Sequence, residues 1–247
     1  MSEKSSIEWT EATWNPVTGC TEVSPGCDHC YARTLAERFR GTTGHPYQQG
    51  FDLRLWPERL DAPTRWKRPR LIFVNSMSDL FHKDIPDDFI VQVFCTMAHR
   101  APQHTYQVLT KRPSRLVNTS LLAQIKEAIG SWPAHIWLGT SVETQDYTWR
   151  VDALRCMPAA VKFISAEPLL GPISFDLDGI AWVIVGAESG HGVRPMNEDW
   201  VRSLRDQALA TGVALFYKQN ALDGRKLPLP LLDGERWQQF PAEVPHD

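Results

Sequence analysis

Short, β-branched apolar runs alternate with helix-like stretches along most of the chain, and this alternation restricts the fold more than any other feature. The predicted strands are Leu71–Asn75, Tyr106–Leu109, Ile136–Leu138, Val161–Ile164, Trp182–Val185 and Ala214–Tyr217, with another near Thr13–Val17. Alternating strands and helices form parallel sheets with right-handed crossovers. An open dinucleotide-binding sheet would be expected to have a glycine-rich phosphate turn, and the sequence contains none. We therefore predict an α/β fold, a full or incomplete parallel (β/α) barrel of about six to seven strands, with its active site at their C-terminal ends.

Helix signals and composition divide the chain further. The predicted helices run from about Tyr31 to Arg40, from Asp84–Pro86 to about Arg100, from Pro113 to about Ile129, and from Asn197 to near Gly212. The first places Ala32, Leu35, Ala36 and Phe39 along one face. We assign residues 1–219 to the barrel and residues 220–247 to a C-terminal extension packed on it. The segment around 41–70, rich in Pro, Gly, Arg and Trp, is too long for a simple loop and is predicted to be a lid-like insertion.

Five cysteines, three of them between residues 20 and 30, favour a reducing compartment and a metal site over a disulfide framework. The N-terminal residues lack the apolar core of a secretory signal, and no apolar run is as long as a membrane span. We therefore expect a cytoplasmic protein that does not contact a membrane. The formal net charge of −3 gives no argument for a nucleic-acid partner, and the sequence does not determine the oligomeric state.

Cys20, Cys27 and Cys30 have the spacing C-x6-C-x2-C, in a loop whose Gly26 allows the chain to fold back. Three thiolates on a four-iron cluster leave one iron open for chemistry. A zinc ion would need a fourth ligand, which His29 or His45 could supply. We favour the iron–sulfur cluster and keep zinc, or three packed free thiols, as alternatives. The other two cysteines, Cys95 and Cys156, are expected to be packed thiols without a ligand.

Polar residues follow nearly every predicted strand, and in a (β/α) barrel these positions open onto one face. Those we regard as candidate site residues are Ser76, Ser78, Asp79, Lys111, Arg112, Ser141, Glu143, Glu167, Glu188 and Lys218. Helix capping is the alternative explanation for the hydroxyl residues. It explains the strand-end carboxylates Glu167 and Glu188 less well, and it does not explain Lys218 at the end of an apolar strand.

The stretch WNPVTGCTEVSPGCDHCYA, with three cysteines leading into a helix, resembles the radical S-adenosylmethionine superfamily. More narrowly, most of residues 7–219 is similar to a family common in bacteriophages and prophages that has this cysteine spacing. The matching segments are WNPVTGC, PGCDHCYA, VNSMSDLF, LTKRP, LGTSVE, SAEPLLGP and VGAESG. The usual superfamily spacing is C-x3-C-x2-C, and its glycine-rich strand-end motif is replaced here by the residues Asn75 to Ser78.

The resemblance implies that a [4Fe–4S] cluster on the three cysteines reductively cleaves S-adenosylmethionine to a 5′-deoxyadenosyl radical, which abstracts hydrogen from a substrate. It implies an electron donor such as a flavodoxin or ferredoxin. The candidate residues would divide as follows: Ser76, Ser78 or Asp79 for the methionine amine, Lys111 or Arg112 for the carboxylate or a substrate phosphate, Ser141 and Glu143 for the ribose, and Glu167, Glu188 and Lys218 for catalysis.

A nucleic acid or nucleotide, repaired or modified, is the substrate we expect. The phage setting of the similar family and the basic run Arg65, Lys67, Arg68 and Arg70 both favour it, although such a run is more commonly a solvated loop. The alternative from another class is a zinc-binding protein without redox chemistry, either nucleic-acid-associated or a hydrolase. A barrel whose cluster is only structural is a third alternative.

Overall fold

Eight strands form one curled, mostly parallel sheet in the computed structural model of the chain, which describes residues 4–117, 119–189, 192–222 and 224–242. Two short strands form a separate pair. Numbered in chain order, the strands are β1 (Ala12–Trp14), β2 (Val17–Thr18), β3 (Arg54–Leu55), β4 (Leu71–Val74), β5 (Thr105–Thr110), β6 (Ile136–Ser141), β7 (Lys162–Ala166), β8 (Trp182–Gly186), β9 (Ala214–Leu222) and β10 (Arg225–Pro228).

The main sheet has the strand order β1-β4-β5-β6-β7-β8-β9-β10. The first seven of these strands are parallel and coincide with the seven strands predicted from the sequence, whereas β10 pairs antiparallel with β9. The predicted mixed α/β class and incomplete barrel therefore agree with the structure. The prediction of an entirely parallel sheet of six to seven strands is wrong, because β10 has a polar sequence without strand periodicity and forms by hydrogen bonding to the β9 edge.

The two faces of the sheet pack differently because side chains alternate along each strand. In β4, Ile72 and Val74 join the large core beneath the helices, while Phe73 faces the concave side of the curl. The concave side is filled by a second, aromatic cluster centred on Trp182, whose ring lies 6.1 Å from that of Trp9 and 5.8 Å from that of Phe163. This cluster closes the amino-terminal end of the curl and leaves space at the carboxyl ends of the strands.

Five α-helices connect the strands: α1 (Tyr31–Glu37), α2 (Asp87–Cys95), α3 (Ser120–Ile129), α4 (Trp149–Arg155) and α5 (Glu198–Thr211). The predicted helix to Arg100 is present, but its last residues, Thr96–Arg100, form a π-helix. The helix predicted from Pro113 begins only at Ser120, where Thr119 accepts a hydrogen bond from the Leu122 N–H. Asn197 caps α5 as predicted, and Gly212 ends it in the left-handed region.

Helix α1 is shorter than predicted, and its apolar face is narrower. Ala32 and Ala36 are buried against Phe51 and Met77, but Leu35 is 39% exposed. Of the four residues that the sequence places along one face, only Ala32 and Ala36 are therefore buried, because a helix of two turns presents a narrow stripe to its neighbours.

The second half of the 41–70 insertion packs on the large core: Leu60 and Trp66 belong to it, and Trp56 is buried with its indole N–H donating to Thr18. Part of the predicted C-terminal extension continues β9 and forms β10, and residues 243–247 of it lie outside the described residues. In the described part of the chain, every helix is too short or too polar to cross a membrane.

Candidate functional site

A cavity of about 370 Å³ opens where the parallel strands end. The candidate residues that line it come from six different strand ends and from the cysteine loop. They are Cys20, Cys27, Cys30, Ser76, Ser78, Asp79, Lys111, Arg112, Ser141, Glu167, Glu188 and Lys218. The convergence predicted for these residues is therefore present in the structure, and it follows from the parallel order of the strands.

The cysteine loop connects β2 to α1, and its backbone packs closely against neighbouring segments. Gly19 has φ +85°, and a Cβ there would lie 2.2 Å from the Asp52 carbonyl oxygen, so this position requires glycine. A 3₁₀ turn over Pro25–Cys27 follows, and Cys30 is the N-cap residue of α1. The loop thus holds all three cysteines, each partly buried, at the cavity wall.

Glu143 supports the loop from below. The carboxylate accepts hydrogen bonds from Ser24 Oγ at 2.8 Å and from Arg150 at 3.0 Å, and it forms an ion pair with Lys111. Ser24 Oγ is 3.9 Å from Cys27 Sγ. Burial disfavours ionisation of Glu143, but Lys111 and Arg150 outweigh it, so its pKa lies below the ordinary value for glutamate.

The expectation that Glu143 projects into the cavity mouth is wrong. Its side chain is fully buried and does not line the cavity, whereas Ser141 does. Alternation places residues 141 and 143 on one side of an extended chain, but β6 ends at Ser141, and Ser24 and Gly26 of the cysteine loop cover the Glu143 side chain. The fully buried Arg150 and the partly exposed Lys111 then stabilise the carboxylate inside the protein.

Arg194 holds the other side of the loop. It forms an ion pair with Glu188, in which Arg194 Nε donates to Glu188 Oε1 at 2.8 Å. Its guanidinium group also donates to the Pro25 carbonyl at 2.7 Å and to the Asp28 carboxylate at 3.3 Å. Arg194 was not predicted from the sequence, where no motif connects it to a loop more than 160 residues away. Glu188, predicted as catalytic, lines the cavity and also anchors this arginine.

Asp79 and Arg112 form the third support of the loop. Asp79 accepts hydrogen bonds from the hydroxyl of Thr110 at 2.8 Å, from the Lys111 N–H at 3.0 Å and from Arg112 at 3.0 Å. Arg112 also donates to Cys20 Sγ at 3.3 Å. Burial and the nearby Asp79 carboxylate raise the pKa of the Cys20 thiol to about 11, so its proton must be displaced when a metal binds. These contacts give Asp79 and Arg112 a structural task beside the first cysteine.

The remaining candidate residues differ in the partners that their side chains already contact within the protein. Ser78 Oγ donates to the Val17 carbonyl at 2.9 Å, and the Ser76 hydroxyl donates to Asn15 at 3.2 Å, so both hydroxyls brace neighbouring segments. Glu167 and Lys218 form a mostly buried ion pair at the cavity wall. This pair and the Lys226–Glu8 pair are the charged groups at the cavity wall that belong neither to the cysteine loop nor to its supports.

Neither histidine considered as a zinc ligand completes a site with the three cysteines. His29 is 3.5 Å from Glu188, and His45 stacks on Phe39 at 3.8 Å between ring centroids. Across residues 4–117, 119–189, 192–222 and 224–242, no three His, Cys, Asp or Glu side chains converge closely enough to hold one metal ion. On a four-iron cluster each thiolate binds a different iron, so convergence on one point is not the arrangement required.

The 41–70 insertion and the basic run contribute little to the cavity. Phe51 is the one residue of the insertion that lines it. The run from Arg65 to Arg70 lies directly before β4, at the amino end of the sheet, where the Arg70 carbonyl accepts the Thr105 N–H. It is therefore at the opposite end of the strands from the candidate site.

Gly26 offers a direct test of the contact between the loop and Glu143. A Cβ at Gly26 would lie 2.5 Å from Glu143 Cγ, and Glu143 cannot move aside because Lys111 and Arg150 hold it. We expect Gly26→Ala to lower the free energy of unfolding by about 1–3 kcal/mol, the usual cost of overpacking. Gly171→Ala is the matched control, since its methyl group would meet no atom within 4 Å. Urea denaturation measures both, and equal effects would show that the loop does not rest on Glu143.

Comparison with known families gives one match. The model of the family described as Protein of unknown function (DUF5131) matches residues 4–241, which include every residue of the cavity described above. No curated protein and no solved structure matches the chain significantly.

Proposed function

The chain belongs to the family DUF5131, and we propose that it is a radical S-adenosylmethionine enzyme whose Cys20, Cys27 and Cys30 hold a [4Fe–4S] cluster. One observation carries the proposal. Three cysteines from a single loop line one cavity at the carboxyl ends of a mostly parallel sheet, where α/β enzymes bind their ligands. The cavity volume of about 370 Å³ lies within the range typical of small-molecule sites.

The donor set fits such a cluster. Three thiols are available without a fourth protein ligand, which leaves one iron for the cofactor. When bound, the reduced cluster supplies one electron to the sulfonium of S-adenosylmethionine, which splits into methionine and a 5′-deoxyadenosyl radical that abstracts a hydrogen atom from the substrate. An external one-electron donor such as a flavodoxin or ferredoxin is then needed, and a reducing, cytoplasmic environment keeps the free thiols available.

The protein's own residues hold the reactants in place. Glu143, Arg194 and the Asp79–Arg112 pair fix the cysteine loop from three sides. Ser76, Ser78, Ser141 and Lys111 line the cavity and provide hydroxyl and ammonium groups for the cofactor.

The Glu167–Lys218 pair lies at the cavity wall and takes no part in these loop supports, and there we place the substrate. A carboxylate and an ammonium group so close together can orient a polar substrate and exchange a proton with it.

The test is anaerobic reconstitution with iron and sulfide, reduction with dithionite and chromatographic assay of 5′-deoxyadenosine. We expect a brown protein with equal amounts of iron and sulfide that forms 5′-deoxyadenosine from S-adenosylmethionine. The matched control is Cys156→Ala, which alters an exposed cysteine outside the cavity and should retain full activity. A colourless protein with one bound zinc would contradict the proposal. An iron-containing protein that forms no 5′-deoxyadenosine would show that the cluster has only a structural role.

A further inference from the structure

The inner wall of the cavity is aromatic. Trp9, Phe73 and Leu109 line the cavity on the concave side of the sheet, and the rings of Trp9 and Phe73 are 4.7 Å apart at 53°. Asn75 follows Phe73 by two positions and lines the same cavity. The wall, defined here as Glu8, Trp9, Phe73 and Asn75, thus combines flat apolar surfaces with polar groups.

Four side-chain polar atoms of this wall lack a hydrogen-bond partner among the described residues. Asn75 is 2% exposed, and both its side-chain nitrogen and its side-chain oxygen are buried without such a partner. Trp9 is also 2% exposed, and its indole N–H is unpartnered, as is one carboxylate oxygen of Glu8. A buried polar atom without a partner typically costs about 1–3 kcal/mol. The wall therefore contains two donor groups and two acceptors that no other group of the described residues engages.

Backbone conformation alone does not explain Asn75. Its φ of 62° lies in the left-handed region, which asparagine adopts more readily than other residues except glycine. Glycine would meet that requirement without burying an amide, so the conformation accounts for the backbone and not for the unpartnered side chain. Replacing Asn75 with glycine would therefore keep the backbone conformation and test the role of the amide alone.

The charges of the cavity, by contrast, are already matched. Each lysine and arginine among the cavity-lining residues contacts a carboxylate. The pairs are Arg33–Glu22, Lys111–Glu143, Arg112–Asp79, Lys218–Glu167 and Lys226–Glu8. Recognition by unmatched charge is therefore weak here, and the unpartnered polar atoms of the inner wall are the groups left to select a ligand.

We propose that the inner wall binds a nucleobase. A flat heteroaromatic ring would pack against Trp9 and Phe73, and its edge would bond with the Asn75 amide, which can donate and accept at once. The ring could come from a nucleotide or nucleic-acid substrate or from the adenine of S-adenosylmethionine, and the chemistry of recognition is the same. The inference rests on the proposed function for the identity of the cofactor, but the base-binding wall itself needs no cluster.

The experiment compares Asn75→Gly and Asn75→Asp with the wild-type protein by calorimetric titration, both as purified and after cluster reconstitution. The probes are the four ribonucleoside monophosphates, 5′-deoxyadenosine, S-adenosylmethionine, ribose 5-phosphate and methionine. Glycine keeps the left-handed backbone and removes the amide, whereas aspartate keeps the size and the acceptor. We expect Asn75→Gly to weaken binding of a base-containing probe about 10- to 100-fold, for two lost hydrogen bonds, and Asn75→Asp to weaken it less.

Comparison of the nucleotide probes with S-adenosylmethionine and 5′-deoxyadenosine also distinguishes the source of the base. If nucleotide binding falls while S-adenosylmethionine binding is unchanged, the wall holds the substrate base. If S-adenosylmethionine and 5′-deoxyadenosine binding fall together, it holds the cofactor's adenine.

Trp9→Phe, which keeps an aromatic ring but removes the indole N–H, should weaken binding of the same probe. This variant provides the test if the Asn75 variants do not fold. The proposal is overturned if the wild-type protein binds bases no better than ribose 5-phosphate. It is also overturned if the variants leave base binding unchanged, or if methionine binding falls as much as base binding. Iron content and 5′-deoxyadenosine formation, measured separately, show whether the proposed function has failed instead.

Discussion

Replacing Cys20, Cys27 or Cys30 with alanine is expected to abolish iron binding, because a cluster held by three thiolates cannot lose one and keep its place in the loop. Each cysteine lines the cavity, and His29, the histidine of the same loop, already contacts Glu188. We expect iron and sulfide per chain after anaerobic reconstitution to fall to background in all three variants, with loss of the brown colour.

Cys95→Ala and Cys156→Ala are the matched controls for this loss. Cys95 packs at the edge of the large core on α2, and Cys156 follows α4 in an exposed position; neither lines the cavity. Both variants should retain iron and sulfide at the wild-type level. If either of them loses iron as completely as the loop variants, the assignment of the three ligands is wrong.

Glu143→Gln is expected to lower the free energy of unfolding by about 3–5 kcal/mol, the typical cost of removing one partner from a buried ion pair. The change leaves Lys111 and the fully buried Arg150 without their carboxylate and weakens the hydrogen bond to Ser24 beneath the cysteine loop. Urea denaturation of the ligand-free protein at neutral pH measures the loss. A ribose-binding role for Glu143 predicts no such effect in the absence of ligand.

Acid should reduce the difference between the Glu143→Gln variant and the wild-type protein. The pKa of Glu143 is lower in the folded protein than in the unfolded chain, so its contribution is complete above the ordinary glutamate pKa of about 4.3 and is lost as the pH falls through the folded value. We therefore expect a constant stability difference near neutral pH and a smaller one below about pH 4.

Glu22→Gln provides the control for charge removal near the loop. Glu22 pairs with Arg33 where both side chains are largely exposed, and such a pair contributes about 1 kcal/mol or less. If Glu143→Gln costs no more than Glu22→Gln, the buried carboxylate does not support the loop.

Local patterns of the sequence were sufficient to predict the strands and the position of the site. The runs beginning at Leu71, Ile136 and Trp182 each became a strand of the sheet, because a buried parallel strand is specified by its own apolar residues. Parallel strands also bring their carboxyl ends to one edge, so the sequence alone predicts that Ser141, Glu167 and Lys218 lie close together.

Contacts between distant segments were decided only by the tertiary structure. Glu143 turned inward because Lys111 and Arg150 lie beneath the loop, and nothing in its own neighbourhood of the sequence specifies that environment. Strand β10 formed from a polar segment because β9 left an edge to pair with.

The sequence by itself thus determined the α/β class, the seven parallel strands and the three cysteines of one loop, since each follows from residues close together in the chain. The tertiary structure decided which polar side chains became supports and which remained open. Arg194 reaches the loop from more than 160 residues away, and the Asn75 amide is left without a partner where the backbone turns into the cavity. The physical reason is that burial and pairing depend on the packing of the whole chain, which local periodicity does not contain.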